Sequence, residues 1–382
     1  MEWGLLALPG LVIWSLVLCL PWRPWSTREF LDAATFETES NKHHRPDISQ
    51  ITVLIPARNE AEVIAETLLC LKTQDESLKI ILIDDQSNDD TSDIAHQAGL
   101  KNLNVIKGKP LPEGWSGKLW ALEQGRKHVD TNYILLLDAD ITLVPGTITS
   151  LFQKLNSEQL DLVSLMAFLR MNNFWEIFLM PAFIYFFKLL YPFQISNASS
   201  DKLLSKYVAA AAGGCILLRR DILDQIGGFH DLKDCLIDDC TLARKIKTSG
   251  GRTWVGLTHS AVSNRQYESL QTIWDMVART AYTQLHYSPI LLLVCTIIML
   301  VVFVFPLISL FLPGLTIKII ALLTVLIMVA TYLPILKFYG RHPAWAITLP
   351  IIGVLYLLMT WSSALRHISG SGSSWKQRQY NP

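Results

Sequence analysis

Residues 133–141 read YILLLDADI, an apolar run that ends in two carboxylates one residue apart. Charged side chains are rarely buried unless they are paired or bind a metal. Either the chain leaves a core at Asp138, or a positive group waits for Asp138 and Asp140. The flanks fix what kind of core this is. ITVLIPA (51–57), KIILIDD (79–85) and LNVIKG (103–108) are short, near-continuous apolar runs of the same type. Between them lie helix-like stretches: NEAEVIAETLLCLKTQ, with Val63, Ile64, Leu68, Leu69 and Leu71 along one side, then DDTSDIAHQAG closed by Gly99, then LWALEQGRKH. Such strands separated by helices predict a parallel sheet covered on both faces, an α/β doubly wound domain.

In open α/β sheets ligands bind beyond the carboxyl ends of the strands. PARNE (56–60), Asp84-Asp85 and Asp138-Ala139-Asp140 all fall at such ends, so acidic groups converge on one sheet edge. The turn after the first strand is PARNEAE, which is neither G-x-G-x-x-G nor G-x-x-x-x-G-K-[ST]. Dinucleotide and P-loop chemistry are thereby excluded. An isolated D-x-D or D-D also suits a turn or a helix N-cap, and Lys118, after Gly114-Trp115-Ser116-Gly117, also suits a solvent-facing lysine.

The chain as a whole is 51% hydrophobic and 17% charged over 382 residues, below the usual quarter for charge, which asks for membrane segments. Lys plus Arg equals Asp plus Glu at 33 each, so no polyanion-binding surface follows and nucleic acid is not an expected partner. Gly4 to Leu20 is uncharged and apolar, preceded by Glu2 and followed by Trp22, Arg23, Trp25 and Arg28. A signal peptide has the opposite charge order, so an uncleaved anchor entering the cytoplasm is expected. Pro289 to Leu312, Leu315 to Leu336 and Ala344 to Leu365 each approach the roughly 20 residues of a spanning helix. Three spans after the anchor put Arg366, Lys376 and Arg378 outside, against the positive-inside rule, and leave open a re-entrant or interfacial run. FWEIFLMPAFIYFFKLLYPF (174–193), broken by Glu176, Pro181 and Lys188, reads as an interfacial or a core helix. No CxxC pair occurs, and free thiols are expected. His43-His44 has no second His/Cys cluster near it and reads as linker.

IPARNEAEVI, IDDQSNDDTSDIA, GKLWALEQG, LLLDADI and IDDCTLARKIK, in that order, resemble the family 2 nucleotide-sugar transferases of GT-A fold, over roughly Ile51 to Thr280. GWSGKLWALEQG, AAAAGGCILLRRDILDQIGGF and MVARTAYTQLHYSP look most like the hopene-associated, membrane-bound branch. The resemblance implies an inverting glycosyltransferase of hexosyltransferase type. It would use a nucleotide-sugar, by family a UDP-sugar, and a lipid acceptor: hopanoid, or else carotenoid acid, ceramide-like lipid or polyprenyl phosphate. It also implies Mg²⁺ or Mn²⁺ on Asp140, with Asp138 sharing the ion or facing the ribose. A sugar diphosphate needs such a hard cation beside two carboxylates. Asp84 and Asp85 would meet base and ribose, with Ala57 and Glu60 beside them, and Lys118 the phosphates. Asp239 would be the base, and Asp238 stands where the family has Glu; like charge between the two should raise one of their pKa values, which suits a base. Arg279 aligns with the Arg of Gln-x-x-Arg-Trp, but Met276 and Thr280 replace its Gln and Trp, which argues against a polysaccharide synthase. Trp274, Arg279 and Tyr282 suit an interfacial helix on the acceptor side. The expected organisation is an anchor (1–21), a juxtamembrane linker (22–50), a cytoplasmic GT-A domain (51–265), an interfacial helix (266–288), transmembrane helices (289–365) and a tail (366–382). A non-catalytic scaffold with the same fold is the alternative from another class.

Overall fold

Strand β1 (Ile51–Ala57) is paired in parallel on both sides, with β2 (Lys79–Asp84) and with β4 (Tyr133–Leu137). β3 (Leu103–Lys107) extends the parallel half beyond β2. The computed structural model describes residues 4–33, 47–199, 202–233, 235, 237–370, 373–375 and 378–380; His43 and His44 lie outside them. With β5 (Ile141–Leu143), β6 (Leu162–Leu169), β7 (Cys215–Arg219) and β8 (Thr253–Ser263) the sheet has eight strands in the order β3-β2-β1-β4-β7-β6-β8-β5. The α/β class is as the sequence indicates; the sheet is mixed, not parallel throughout. β7 runs antiparallel to both β4 and β6, and β5 antiparallel to β8.

Alternate residues of each strand feed two cores. Val53, Ile55, Leu135 and Leu137 join the helices Ile64–Lys72 and Thr147–Ser157 on one face. Leu54, Ile134, Leu136, Ile216 and Leu218 join the helices Gly117–Arg126 and Asp238–Thr248 on the other. This is period-two alternation with both faces covered. The helix Gly117–Arg126 lies so close to the sheet that a Cβ on Gly125 would stand 2.6 Å from Ile83 Cδ1.

The chain forms two interleaved units, 29–170 with 193–266, and 1–28 with 171–192 and 267–382. Residues 29–33 belong to the α/β unit. Leu31 donates to the Leu257 carbonyl at 2.9 Å, and Asp32 accepts from the Thr258 hydroxyl at 3.0 Å. Where the sequence suggests one uninterrupted domain from 51 to 265, residues 171–192 group with the other, helical unit. That unit contains Gly4–Cys19, Phe174–Leu190, Leu270–Thr280, Leu315–Phe338 and two further helical stretches, Pro289–Ser309 and Pro343–Ile368. Pro289–Ser309, Leu315–Phe338 and Pro343–Ile368 are each long and apolar enough to cross a membrane. Gly4–Cys19 has 16 residues, about 24 Å of helix against a hydrocarbon core of about 30 Å.

Phe174–Leu190 has no wet face of the kind an interfacial helix uses. Glu176 and Lys188 are both buried. The Glu176 carboxylate accepts from the backbone N–H of Asn172 and Tyr267, each at 2.8 Å, and completes a capping box with Asn173. A buried carboxylate is tolerable when several N–H groups converge on it, and this one closes a helix N-terminus.

Candidate active site

Every strand end singled out in the sequence comes from the α/β unit. β4 stops at Leu137, so Asp138, Ala139 and Asp140 lie in the turn that follows it, outside the strand's two-residue alternation. The turn is held by its backbone: Asp138 N–H donates to the Gly214 carbonyl at 3.0 Å, and the Asp140 carbonyl accepts from Asn264 N–H at 2.8 Å. Thr67 Oγ1 donates to the Ala139 carbonyl at 2.7 Å. The two carboxylates therefore meet different partners. Asp138 Oδ1 lies 2.7 Å from Lys118 Nζ. Asp140 Oδ2 accepts from Ser263 Oγ at 3.0 Å and from Arg265 Nε at 3.4 Å.

Arg265 also reaches Glu60, at 3.3 Å from Nη2 to Oε1. One guanidinium thus ties the end of β8 to the turns after β1 and β4. Those after β1 and β2 are knitted together as well. Asp85 N–H donates to the Ala57 carbonyl at 2.7 Å, and Arg58 Nη1 to the Gln86 carbonyl at 2.9 Å. Asp84 Oδ1 accepts from Ser87 N–H at 2.9 Å. Asn59 and Gln86 hold φ of 51° and 59°, the left-handed conformation such tight turns need. Ala57, Glu60, Asp84 and Asp85 are all buried along this edge.

Lys118 sits in the first turn of Gly117–Arg126, whose N-cap Ser116 accepts from Leu119 N–H. Burial disfavours its charge, but Asp138, Asp238 and Asp239 around it win and raise its pKa. Asp239 opens the helix Asp238–Thr248. Its Oδ2 accepts from Gly213 N–H at 2.8 Å and its Oδ1 from Cys240 N–H at 2.7 Å. Burial and then the Asp238 charge push its pKa up to about 6, although both N–H groups and Lys118 pull the other way. Burial, again outweighing Lys118, raises the pKa of Asp138, with Asp140 and Asp238 adding to it. Gly213 is where the two halves meet: a Cβ there would lie 3.1 Å from Lys118 Nζ and 3.4 Å from Asp239 Oδ2. Trp274 and Arg279 lie on Leu270–Thr280 of the helical unit.

Arg265, Ser263 and Gly213 do not stand out in the sequence. Arg265 follows β8 by two residues, a strand-end position like those of the acidic turns, and that position is its one signal in the sequence. Among the described residues no group of three or more His, Cys, Asp or Glu side chains is placed to hold a metal ion. Two hard carboxylates nonetheless fit Mg²⁺ or Mn²⁺, since such ions take one or two protein carboxylates and complete their shell with substrate phosphates and water.

Residues 52–227 match the family model of glycosyl transferase family 2. A 4,4'-diaponeurosporenoate glycosyltransferase of Staphylococcus haemolyticus (strain JCSC1435) is 36% identical over 93 residues, which is 24% of this chain and 24% of that protein. The protein of the same name from Staphylococcus aureus (strain USA300) is 35% identical over 97 residues, 25% of this chain and 24% of the other. The match thus spans about a quarter of the length of these relatives. Among solved structures, the mannosyltransferase PcManGT from Pyrobaculum calidifontis, in complex with GDP-Man and Mn²⁺, aligns over 98% of this chain and 100% of its own, with TM-score 0.53 and 18% identity. The likeness shows the fold, which is GT-A.

Proposed function

We propose that the protein is a membrane-bound, inverting glycosyltransferase that moves a sugar from a nucleotide-sugar to a lipid acceptor. The observation that carries this is Lys118: one ammonium pairs with Asp138 of the D-A-D turn and lies within the field of Asp239, so the donor side and the base side share a cation. In this reading Ala57, Glu60, Asp84 and Asp85 bind the nucleoside of a diphosphate donor, UDP by family resemblance. Lys118 and Arg265 are the site's cations for the departing diphosphate. Asp138 and Asp140 would hold Mg²⁺ or Mn²⁺, which supplies Lewis-acid charge at the diphosphate when bound. The acceptor oxygen attacks the anomeric carbon as the nucleoside diphosphate leaves with the bonding electrons. The hydroxyl proton passes to Asp239, whose Oδ atoms are fixed by Gly213 and Cys240 N–H groups. One displacement inverts the anomeric centre. The expected setting is the plasma membrane, multi-pass, with the α/β unit in the cytoplasm.

Two acceptor classes have specific support. The relatives named for 4,4'-diaponeurosporenoate favour a carotenoid-type acid. A pKa near 6 at Asp239 favours a hydroxyl, hopanoid-type among others, because a carboxylate acceptor is already ionised and needs no base. Lipid extracts from cells with and without the gene, compared by mass spectrometry, separate a glycosyl ester from a glycoside. In a reconstituted assay, Asp239→Asn should bind nucleotide-sugar and fail to transfer it to an alcohol, and Asp140→Ala should lose donor binding. Full turnover by both variants would remove Asp239 and Asp140 from these roles, whereas a parent protein that transfers sugar to no lipid acceptor would rule out the enzyme reading and leave the scaffold.

A further inference from the structure

Pro343–Ile368 has the length and composition of a spanning helix, with 26 residues. Its contacts tie its two ends to the two ends of Phe174–Leu190. At the N-terminal end, Arg341 Nη1 donates to the Met171 carbonyl at 3.4 Å, and the Trp345 ring lies 6.0 Å from Phe174 and 6.1 Å from Phe178. At the C-terminal end, Arg366 pairs with Asp275 at 2.6 Å, Ser363 Oγ accepts from Tyr282 N–H at 3.0 Å, and His367 stacks on Tyr287 at 4.3 Å. The 282–287 turn is in turn held to the far end of Phe174–Leu190, because Tyr191 donates its phenol proton to Gln284 Oε1 at 2.7 Å.

Both ends of Phe174–Leu190 continue directly into the α/β unit, at 170 and at 193. A folded domain whose strands and loops end in charged groups occupies one side of a bilayer, so both ends of that helix are on one side. The ends of 343–368 are therefore on the same side too. A crossing helix cannot satisfy this. The helix's exposed apolar residues, Ile347, Ile351, Leu358, Trp361, Leu365 and Ile368, recur at spacings that trace one stripe, while Ile352, Tyr356, Met359 and Ser363 are buried in the protein. A stripe along the whole length suits a helix lying in the lipid interface.

We propose that residues 343–368 lie in the membrane interface on the side of the α/β unit, their stripe resting on the acyl chains of that leaflet, and that only the N-terminal helix and the hairpin 289–338 enter deeper. The partner surface is lipid. Lys337, Arg341, Arg366, Lys376 and Arg378 then all face the side of the α/β unit, and the conflict with the positive-inside rule disappears. This placement is independent of the chemistry proposed above.

The test uses the full chain in native membranes, with Cys19, Cys70, Cys235 and Cys295 replaced and the buried Cys215 and Cys240 retained. Single cysteines are introduced as Ser373→Cys, Glu76→Cys in the α/β unit, and Phe311→Cys, which is 87% exposed in the hairpin turn. A membrane-impermeant maleimide applied to intact cells and to inverted vesicles should label Ser373→Cys and Glu76→Cys in the same preparation. Labelling of Ser373→Cys from the side opposite to Glu76→Cys overturns the proposal. Should a cysteine variant fail to fold, nitroxides at 351, 358 and 365 give a second reading. Equal shallow depth by oxygen and nickel accessibility supports the interfacial helix; a depth maximum at 358 overturns it.

Discussion

At Asp239 the fold holds a carboxyl whose charge it resists. An exposed aspartate titrates at about 3.9, and here burial and Asp238 raise the value to about 6. In the proposed role of base this carboxyl is competent only when ionised. For an alcohol acceptor kcat/KM should therefore fall about tenfold per unit as pH drops below about 6, and level off above it; a profile flat through that range removes Asp239 from the role. The same shift has a stability consequence. A raised carboxyl pKa means the folded state binds the proton more tightly, so stability declines as pH rises from about 4 through about 6 and is constant above. Two units correspond to about 3 kcal/mol, which partial exposure reduces to about 1–2 kcal/mol. Asp239→Asn should thus melt above the parent at about pH 8, with the two curves converging below about pH 4.

Arg265 makes a sharper distinction between donor binding and packing. It is the cation shared by Asp140 and Glu60. Loss of a charge-assisted contact of about 1.5–3 kcal/mol weakens donor binding about 10- to 100-fold in Arg265→Ala, and lysine should not restore a forked contact. Titration calorimetry with the nucleotide-sugar reads this directly; tighter binding in Arg265→Ala would mean that the guanidinium blocks the cleft. Asp138 and Asp140 were legible as candidates because charge next to an apolar strand end is unusual, and Lys118 and Asp239 because GKLWALEQG and IDDCTLARKIK resemble family motifs. Ser263 was not, because its partner lies 123 residues away, and Arg265 only through its place two residues past the end of β8. Gly213 carries no chemical signal at all; only the space around it does.

The elements repeat this pattern. Every strand of the parallel half was visible as an apolar run, but direction was not, since CILLR of β7 is buried on both faces like a parallel strand. Alternation reports which residues are covered and not which way the chain travels. Phe174–Leu190 was visible as a helix but not as core rather than interface, because the N–H groups that let Glu176 be a buried cap come partly from Tyr267, distant in sequence. In Gly117–Arg126, Gly125 looks like a weak point of the helix, which alanine should strengthen by about 1 kcal/mol. The sheet says otherwise, because a Cβ there meets Ile83 at 2.6 Å and Leu54 at 3.3 Å. Gly125→Val should lose about 1–3 kcal/mol by overpacking, seen as a lower unfolding midpoint in detergent. A midpoint at or above the parent's would show that Ile83 swings aside freely.

For the whole chain, the interleaving of the two units has a practical consequence. All the acidic and basic residues proposed to bind donor, Glu60, Asp84, Asp85, Lys118, Asp138, Asp140 and Arg265, come from 29–170 and 193–266, while 171–192 belongs with the helices. A fragment of residues 29–266 keeps the strands and the site, but strands Phe174–Leu190 without its neighbours. Leu179, Met180, Ile184 and Tyr185, buried in the full chain, would then face water, as Phe174 and Leu190 already do in part. Burying a side chain of that size is worth about 1.5–3 kcal/mol each, so the fragment should sediment with membranes or aggregate, and detergent should recover it. Replacing 171–192 by a Gly/Ser linker removes that surface. The linker must reach across the ends of a 17-residue helix, about 26 Å, which about 22 flexible residues do at a root-mean-square span of about 5–6 Å × √n. The linked fragment should remain in the supernatant after ultracentrifugation and bind nucleotide-sugar with the affinity of the full chain, yet transfer nothing to a lipid. If it folds and does not bind, the donor site needs the helices, and the division of labour between the two units is wrong.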